Sequence, residues 1–210
     1  MKILVSGFEA FDGDLFNPSE QLVCDLSEKD HPYELFSVVL PVSFEDSFRQ
    51  VVAKIKQVNP DVVLGFGLAK TRRVLSVERV AINWMEAQRP DNLGVQPKGE
   101  RISADGPDGL FSNLPVNSLA QASLEVGVPS AVSNTAGTFV CNSLMYRLIE
   151  FCRGNQILSG FVHVPMTKRS NSSLEDGLTP ESLLMGAEAI LGEIFEPKTR
   201  EETANFGKND

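Results

Sequence analysis

The sequence predicts an α/β fold, a three-layer α/β/α sandwich built on a largely parallel (mixed) central sheet. Two observations carry this. Short, nearly continuous apolar runs of strand length recur along the chain, as in Lys2–Ser6, Asp61–Gly65 and Ile157–Val164, and continuous rather than alternating hydrophobicity marks strands covered on both faces. Between them lie segments whose apolar residues recur at helical spacing, and strands alternating with helices place helices on both faces of a parallel sheet.

In chain order, Lys2–Ser6 closes at Gly7 as a buried first strand. The loop through Asp12-Gly13-Asp14 ends at Asn17-Pro18-Ser19, where Asn17 can cap a helix and Pro18 can open it. Leu35–Leu40 reads as the second strand, and Ser43–Val58 carries Phe44, Phe48, Val51, Val52 and Ile55 at helical spacing. Asp61–Gly65 is another strand, Val74–Trp84 a strand or strand pair, and Arg89 to Asp108, rich in Pro, Gly and Asp, a long exposed loop. A helix over Asn117–Val126, a strand around Pro129–Ser133, a helix from Cys141 to about Cys152 and a strand over Ile157–Val164 follow. Thr179-Pro180-Glu181 starts the last helix, with Leu183, Leu184, Ala187, Ile190, Leu191 and Ile194 along one face. With no repeat, low-complexity segment or linker, residues 1–197 read as one domain and 198–210 as a polar tail.

Composition narrows the function. A net charge of −9 over 210 residues argues against a nucleic-acid partner or an anionic membrane surface. No apolar run reaches the ~18–20 residues of a membrane span, and Met1–Gly7 is too short for a signal peptide, so a cytoplasmic location is expected. Three cysteines are an odd number for a disulfide framework, and two histidines without a CxxC pair do not assemble a structural zinc site. No metal and no cofactor are expected. Cys24 and Cys152 read as buried small apolar residues.

The chemistry centres on the stretch from Val132 to Tyr146, which runs from a strand end through Gly137 into the first turn of a helix at Cys141. A thiol there meets unpaired backbone N–H groups and the positive end of the helix dipole, both of which favour thiolate. A free cysteine elsewhere is ordinarily buried and inert; its placement makes Cys141 a candidate nucleophile. His163, in Gly160-Phe161-Val162-His163-Val164-Pro165, is the candidate acid/base, because the one other histidine, His31, lies in the polar loop Lys29-Asp30-His31-Pro32. A third group should orient the imidazole. Glu78 is a carboxylate interrupting an apolar segment, for which a solvated place on a strand edge or a simple pair with Arg79 is by itself the favoured explanation, and Asp91 also suits a turn. Gly65-Phe66-Gly67 resembles half of a dinucleotide loop, but Lys70 stands where the third glycine belongs.

Six blocks then resemble the pyroglutamyl peptidase I (pyrrolidone carboxyl peptidase) family of cysteine peptidases: Gly7-Phe8-Glu9-Ala10-Phe11, Asn17-Pro18-Ser19, Glu78 through Asn83, Pro90-Asp91-Asn92, Ser133 through Asn142, and Gly160 through Pro165. The resemblance implies a cytosolic, cofactor-free exopeptidase acting on peptides with a blocked, pyroglutamyl N-terminus. It implies Cys141 as nucleophile, His163 as acid/base and Glu78 as orienting residue. It also implies Phe8, Phe11, Asn17, Phe139, Val140, Gln88 and Asp91 around the substrate, and a homo-oligomer, tetramer or dimer.

The resemblance has gaps. The family's Arg-Ile before Pro-Asp-Asn is Gln88-Arg89 here, its Gly-Gln-Ala-Gly-Gly reads Gly67-Leu68-Ala69-Lys70-Thr71, and its glycine pair after Phe11 is Asp12-Gly13. An arginine in an apolar wall is costly unless it points away or meets an anion. Arg89 and Lys168-Arg169 are therefore expected to favour an acyl group or peptide carrying negative charge. Competing readings are a relative that hydrolyses a different N-terminal acyl group or only binds peptide N-termini, and a nucleotide-binding enzyme using Gly65-Phe66-Gly67.

Overall fold

The computed structural model describes residues 1–168 and 177–199. In chain order the elements are β1 (Lys2–Phe8), α1 (Pro18–Ser27), β2 (Glu34–Leu40), α2 (Asp46–Val58), β3 (Val62–Leu68), β4 (Leu75–Glu78), β5 (Val80–Ile82), β6 (Met85–Glu86), β7 (Lys98–Glu100), β8 (Gly109–Phe111), α3 (Val116–Glu125), β9 (Ser130–Ser133), α4 (Val140–Gly154), β10 (Leu158–Val164) and α5 (Pro180–Phe195). Six strands form the central sheet in the order β2-β1-β3-β10-β4-β9. Strands β2, β1, β3 and β10 run parallel, whereas β4 lies antiparallel to β10 and carries β9 parallel to itself. The sheet is mixed, and its reversed pair sits beside the strand that carries His163.

Strand side chains alternate between the two sides of the sheet. Ile3, Val5, Val62, Leu64, Phe66, Leu75, Val77, Val162 and Val164 belong to one core with α1, α3 and α5. Leu4, Phe8, Val63 and Phe161 belong to a second core, with α2 and α4. Both cores draw on the same strands, which is why those strands read as unbroken apolar runs.

Local chemistry sets the helix starts. The Asn17 side chain accepts the Ser19 N–H at 3.0 Å, with Pro18 in the first turn of α1. Thr179 accepts the Ser182 N–H at 3.1 Å, with Pro180 in the same place in α5. Each cap satisfies an amide that the helix itself leaves without an acceptor.

Two expectations are corrected. The segment from Arg89 to Asp108 is not simply an exposed loop: β6 pairs with β7, and β5 pairs with β8 just beyond. Strands of two or three residues are too short to show a period. What orders this region is Asn83, whose Nδ2 donates to the Ser103 and Gly106 carbonyls at 2.8 and 3.2 Å. Its Oδ1 accepts from the Ile102 and Ser103 amides at 2.8 and 2.9 Å. Secondly, Cys24 is exposed on α1 while Cys152 is buried; the inward positions of α1 belong to Leu22, Val23 and Leu26. The expected tail from residue 198 lies, beyond residue 199, outside the described residues, as does Arg169. Among the described residues no helix is long and apolar enough to cross a membrane.

Asn83 makes four hydrogen bonds from a buried position. Asn83→Ala strands those partners, and a loss of about 2–3 kcal/mol is expected. An unchanged urea midpoint would show that the region orders without it.

Candidate active site

Alternation along the strands brings the sequence candidates to one face. Phe161 lies in the core beneath α4 and Val162 in the opposite one, so His163 faces α4. Leu75 and Val77 point to the opposite core, which turns Glu78 to the same face. In the antiparallel β10–β4 pair His163 stands opposite Ser76. Glu78, two residues on, is its diagonal neighbour, and a long side chain spans that separation. His163 Nδ1 lies 2.7 Å from Glu78 Oε1. A carboxylate only accepts, so Nδ1 donates and Nε2 is left as the acceptor.

Glu78 is fully buried. The oxygen that accepts from His163 also accepts from Arg72 Nη1 at 2.5 Å, while Arg72 Nη2 donates to the Thr135 carbonyl at 2.7 Å. The other oxygen, Oε2, makes no hydrogen bond among the described residues. Arg72 thus supplies the positive charge that a buried carboxylate needs. It also ties the loop after β3 to the loop that leads into α4.

Cys141 occupies the first turn of α4. The N-cap residue Phe139 is extended, φ −90° and ψ −165°, and caps no amide with its side chain. The thiol lies above Gly67, the register partner of His163: a Cβ built on Gly67 would stand 2.8 Å from Cys141 Sγ. At Gly65 a Cβ would meet the Phe161 ring at 2.5 Å, and at Gly67 it would meet that ring as well as the thiol. The two glycines therefore clear room for Phe161 and the cysteine, an explanation for Gly65-Phe66-Gly67 that needs no phosphate. Asn142, fully buried, anchors the helix start: its Oδ1 accepts the Ile82 N–H at 3.0 Å, and its Nδ2 donates to the Ile82 and Trp84 carbonyls at 2.9 and 3.0 Å.

The electrostatics differ from the thiolate the helix dipole alone suggests. Burial pushes the Cys141 thiol up to about 12, and the Glu78 charge adds to that; Arg72 and the Cys141 amide oppose it. Burial likewise lowers His163 below its ordinary 6.5, with the bond and charge of Glu78 acting upward and Arg72 downward. At neutral pH the resting pair is a thiol beside a neutral imidazole.

Cys141 opens into a cavity of about 390 Å³, whose wall includes Phe8, Phe11, Asn17, Val42, Gln88, Phe139 and Val140. The Phe139 ring stands 5.4 Å from that of Phe11 and 5.3 Å, edge-on, from that of Phe44. Asn17 serves α1 as its cap and also donates to the Glu9 carbonyl at 2.9 Å. Asp91 is the one expected substrate residue turned away from this wall. It is buried, Oδ2 accepting the Phe44 N–H at 2.9 Å and Oδ1 those of Leu93 and Val95 at 2.9 and 2.8 Å. Its role is to shape the turn after Pro90. Arg89 lines the cavity and meets an anion, Asp12. Lys70 pairs with Asp14 at 2.5 Å. These partners offset the charge that was expected to draw a negative substrate. Sequence reasoning missed Arg72, Asn142 and Asp12. The polar run Lys70-Thr71-Arg72-Arg73 gives no signal separating a guanidinium paired with a buried carboxylate from a solvated one.

The family model described as pyroglutamyl peptidase matches residues 1–190 of this chain. The chain is 41% identical over 167 residues to pyrrolidone-carboxylate peptidase 1 of Caldanaerobacter subterraneus subsp. tengcongensis, covering 79% of this chain and 82% of that one. It is 42% identical over 165 residues to the pyrrolidone-carboxylate peptidase of Erwinia tasmaniensis, covering 78% of each. Among solved structures, a mutant pyrrolidone carboxyl peptidase from Pyrococcus furiosus superposes with a TM-score of 0.87 at 30% identity, over 94% of this chain and 99% of that one. Pyroglutamyl peptidase I of Bacillus amyloliquefaciens superposes with a TM-score of 0.83 at 35% identity, over 90% and 93%. The fold, the cavity and these identities agree, and the chain belongs to the pyroglutamyl peptidase family of cysteine peptidases.

Proposed function

We propose that this chain removes an N-terminal pyroglutamyl residue from peptides through a thioester on Cys141. The carrying observation is the buried Glu78–His163 pair on the sheet face beneath the Cys141 thiol, which opens into an aromatic-walled cavity. A lactam ring is flat and uncharged, and the rings of Phe11 and Phe139 suit such a group. Attack forms a bond between Sγ and the acyl carbon as the thiol proton passes to His163 Nε2. The imidazolium then gives that proton to the departing amine as the C–N bond breaks. Water attacks the thioester, losing a proton to the same nitrogen, and thiol and pyroglutamate are released. Glu78 holds the Nδ1–H tautomer throughout. The N–H groups of the first α4 turn would receive the oxyanion, a contact worth ~2.7–4 kcal/mol per donor.

The same reading includes a cytoplasmic location and a homo-oligomer. Three free cysteines suit a reducing compartment. Ile82, Phe111 and Trp84 remain exposed at the β5–β8 pair, an apolar surface suited to a second copy.

Turnover of a fluorogenic pyroglutamyl amide, with prolyl and glutamyl analogues left intact and at least ~10³-fold loss in Cys141→Ser, is the expected outcome. Hydrolysis of none of the three would favour a protein that only binds peptide N-termini. Gly67→Ala brings a methyl group against Sγ; kcat is expected to fall roughly 10- to 100-fold with the far-ultraviolet circular dichroism unchanged, and an unaffected kcat would argue against the thiol as nucleophile. The pH dependence follows from the neutral pair. His163 must be unprotonated to accept the thiol proton, so kcat/KM should hold from neutral pH down to below 6.5 and fall only beneath that. Arg72 pulls His163 downward, so Arg72→Gln should move this acid limb to higher pH, while Arg72→Lys retains it. Superimposable profiles for the two variants would remove Arg72 from the account.

A further inference from the structure

Five charged side chains that line the cavity take no part in the chemistry above: Glu86, and the four that pair with one another, Asp12, Asp14, Lys70 and Arg89. The two paired carboxylates belong to one tight turn, Phe11 to Asp14. Asp12 and Gly13 are both left-handed, at φ 62° and 77°, and the Asp14 N–H donates to the Phe11 carbonyl at 3.1 Å. This is the hydrogen-bonded turn with two positive-φ residues that Asp-Gly favours. From it the carboxylates reach cations on two separate loops. Asp12 pairs with Arg89, in the β6–β7 connection, and Asp14 with Lys70, just after β3. A third tie joins Asn92 Nδ2 to Glu9 Oε1 at 2.8 Å.

The turn also starts at Phe11, whose ring meets Phe139 across the cavity. Leu15, further along the segment, is fully exposed and contributes no apolar anchor. Phe11 itself packs on the edge of the second core, and the polar ties hold the rest of the turn that carries it. They also pair cation with anion, so the four groups offer an incoming carboxylate no uncompensated positive charge.

Resting on the reading of this cavity as the acyl site, we propose that Asp12 and Arg89 are specificity-determining residues. Their ion pair, assisted by Asp14–Lys70, clamps the Phe11 turn toward Phe139 and limits the site to a small, flat, uncharged ring. Loosening the clamp widens the slot. The five-membered lactam then loses contact, and a larger ring loses less or gains.

The test compares kcat/KM for a pyroglutamyl amide with that for its six-membered homologue, a 6-oxopiperidine-2-carbonyl amide of the same fluorogenic amine. Wild type should prefer the five-membered ring. Arg89→Gln and Asp12→Asn should each narrow that preference by about two- to fivefold, chiefly through a higher KM for the smaller ring. Asparagine tolerates the left-handed backbone at position 12, so the second variant removes charge without breaking the turn. Arg89→Lys should keep the preference, and the double variant should do no more than either single one, because both remove the same pair. Lys29→Gln, which breaks a distant surface pair with Glu188, should leave the ratio unaltered.

A ratio that Arg89→Gln leaves unchanged, or single effects that add in the double variant, would overturn the clamp while leaving the pyroglutamyl reading intact. Hydrolysis of neither amide by wild type would overturn that reading. Alkylation of Cys141 by iodoacetamide, followed on the peptide by mass spectrometry, then tests the clamp without substrate. It should quicken in Arg89→Gln, and an equal rate would overturn the clamp as well.

Discussion

The arrangement depends on a buried carboxylate. Glu78 sits at zero exposure, where an isolated charge is costly unless it is paired and hydrogen-bonded. Its two partners come from different elements, and one of them reaches on to a third. Arg72 arrives from the loop after β3, His163 from β10, and Thr135 ties the far end of the guanidinium to the loop before α4. One charge thus draws the base, a strand edge and the cysteine's approach loop into a single network. The reversal of β4 belongs to the same constraint. In the antiparallel pair Glu78 stands diagonal to His163, close enough for its carboxylate to meet Nδ1.

The glycines act on the opposite side of the same balance. Gly65 and Gly67 lack the Cβ atoms that would strike Phe161 and the thiol, so α4 can settle onto β3 and β10 with Cys141 above the register partner of His163. Close packing of this kind removes water. It raises the thiol and lowers the imidazole, against the pull of the helix dipole, and the resting pair is neutral. Proton transfer then accompanies attack. Arg72 offsets the Glu78 charge that would otherwise drive the two groups upward together.

Much of the fold was legible because its signals are local. Asn17-Pro18 and Thr179-Pro180 announce helix starts by capping chemistry, and the long strands show themselves as continuous apolar runs. Cys141 and His163 were legible through placement and scarcity. The rest was hidden for physical reasons. Strands β6, β7 and β8 are too short for a period, and Asn83 orders its loop through bonds to residues some twenty positions away. Asp91 reads like a site residue, but its carboxylate serves backbone amides. Arg89 looked like a misplaced charge in an apolar wall until Asp12 stood opposite.

The sequence by itself determined the order along the chain of the central-sheet strands and the helices, the cysteine at a helix start and the shortage of other histidines to serve it. These follow from period, capping and composition, which act between near neighbours. Tertiary structure alone decided that Glu78, rather than Asp91, meets the imidazole. It also decided that the half-buried Arg72 meets the carboxylate of Glu78 and that four rim charges cancel in pairs. Each is a contact across sheet register or between loops distant in the chain, and strand direction, which no local pattern records, sets which side chains come within reach.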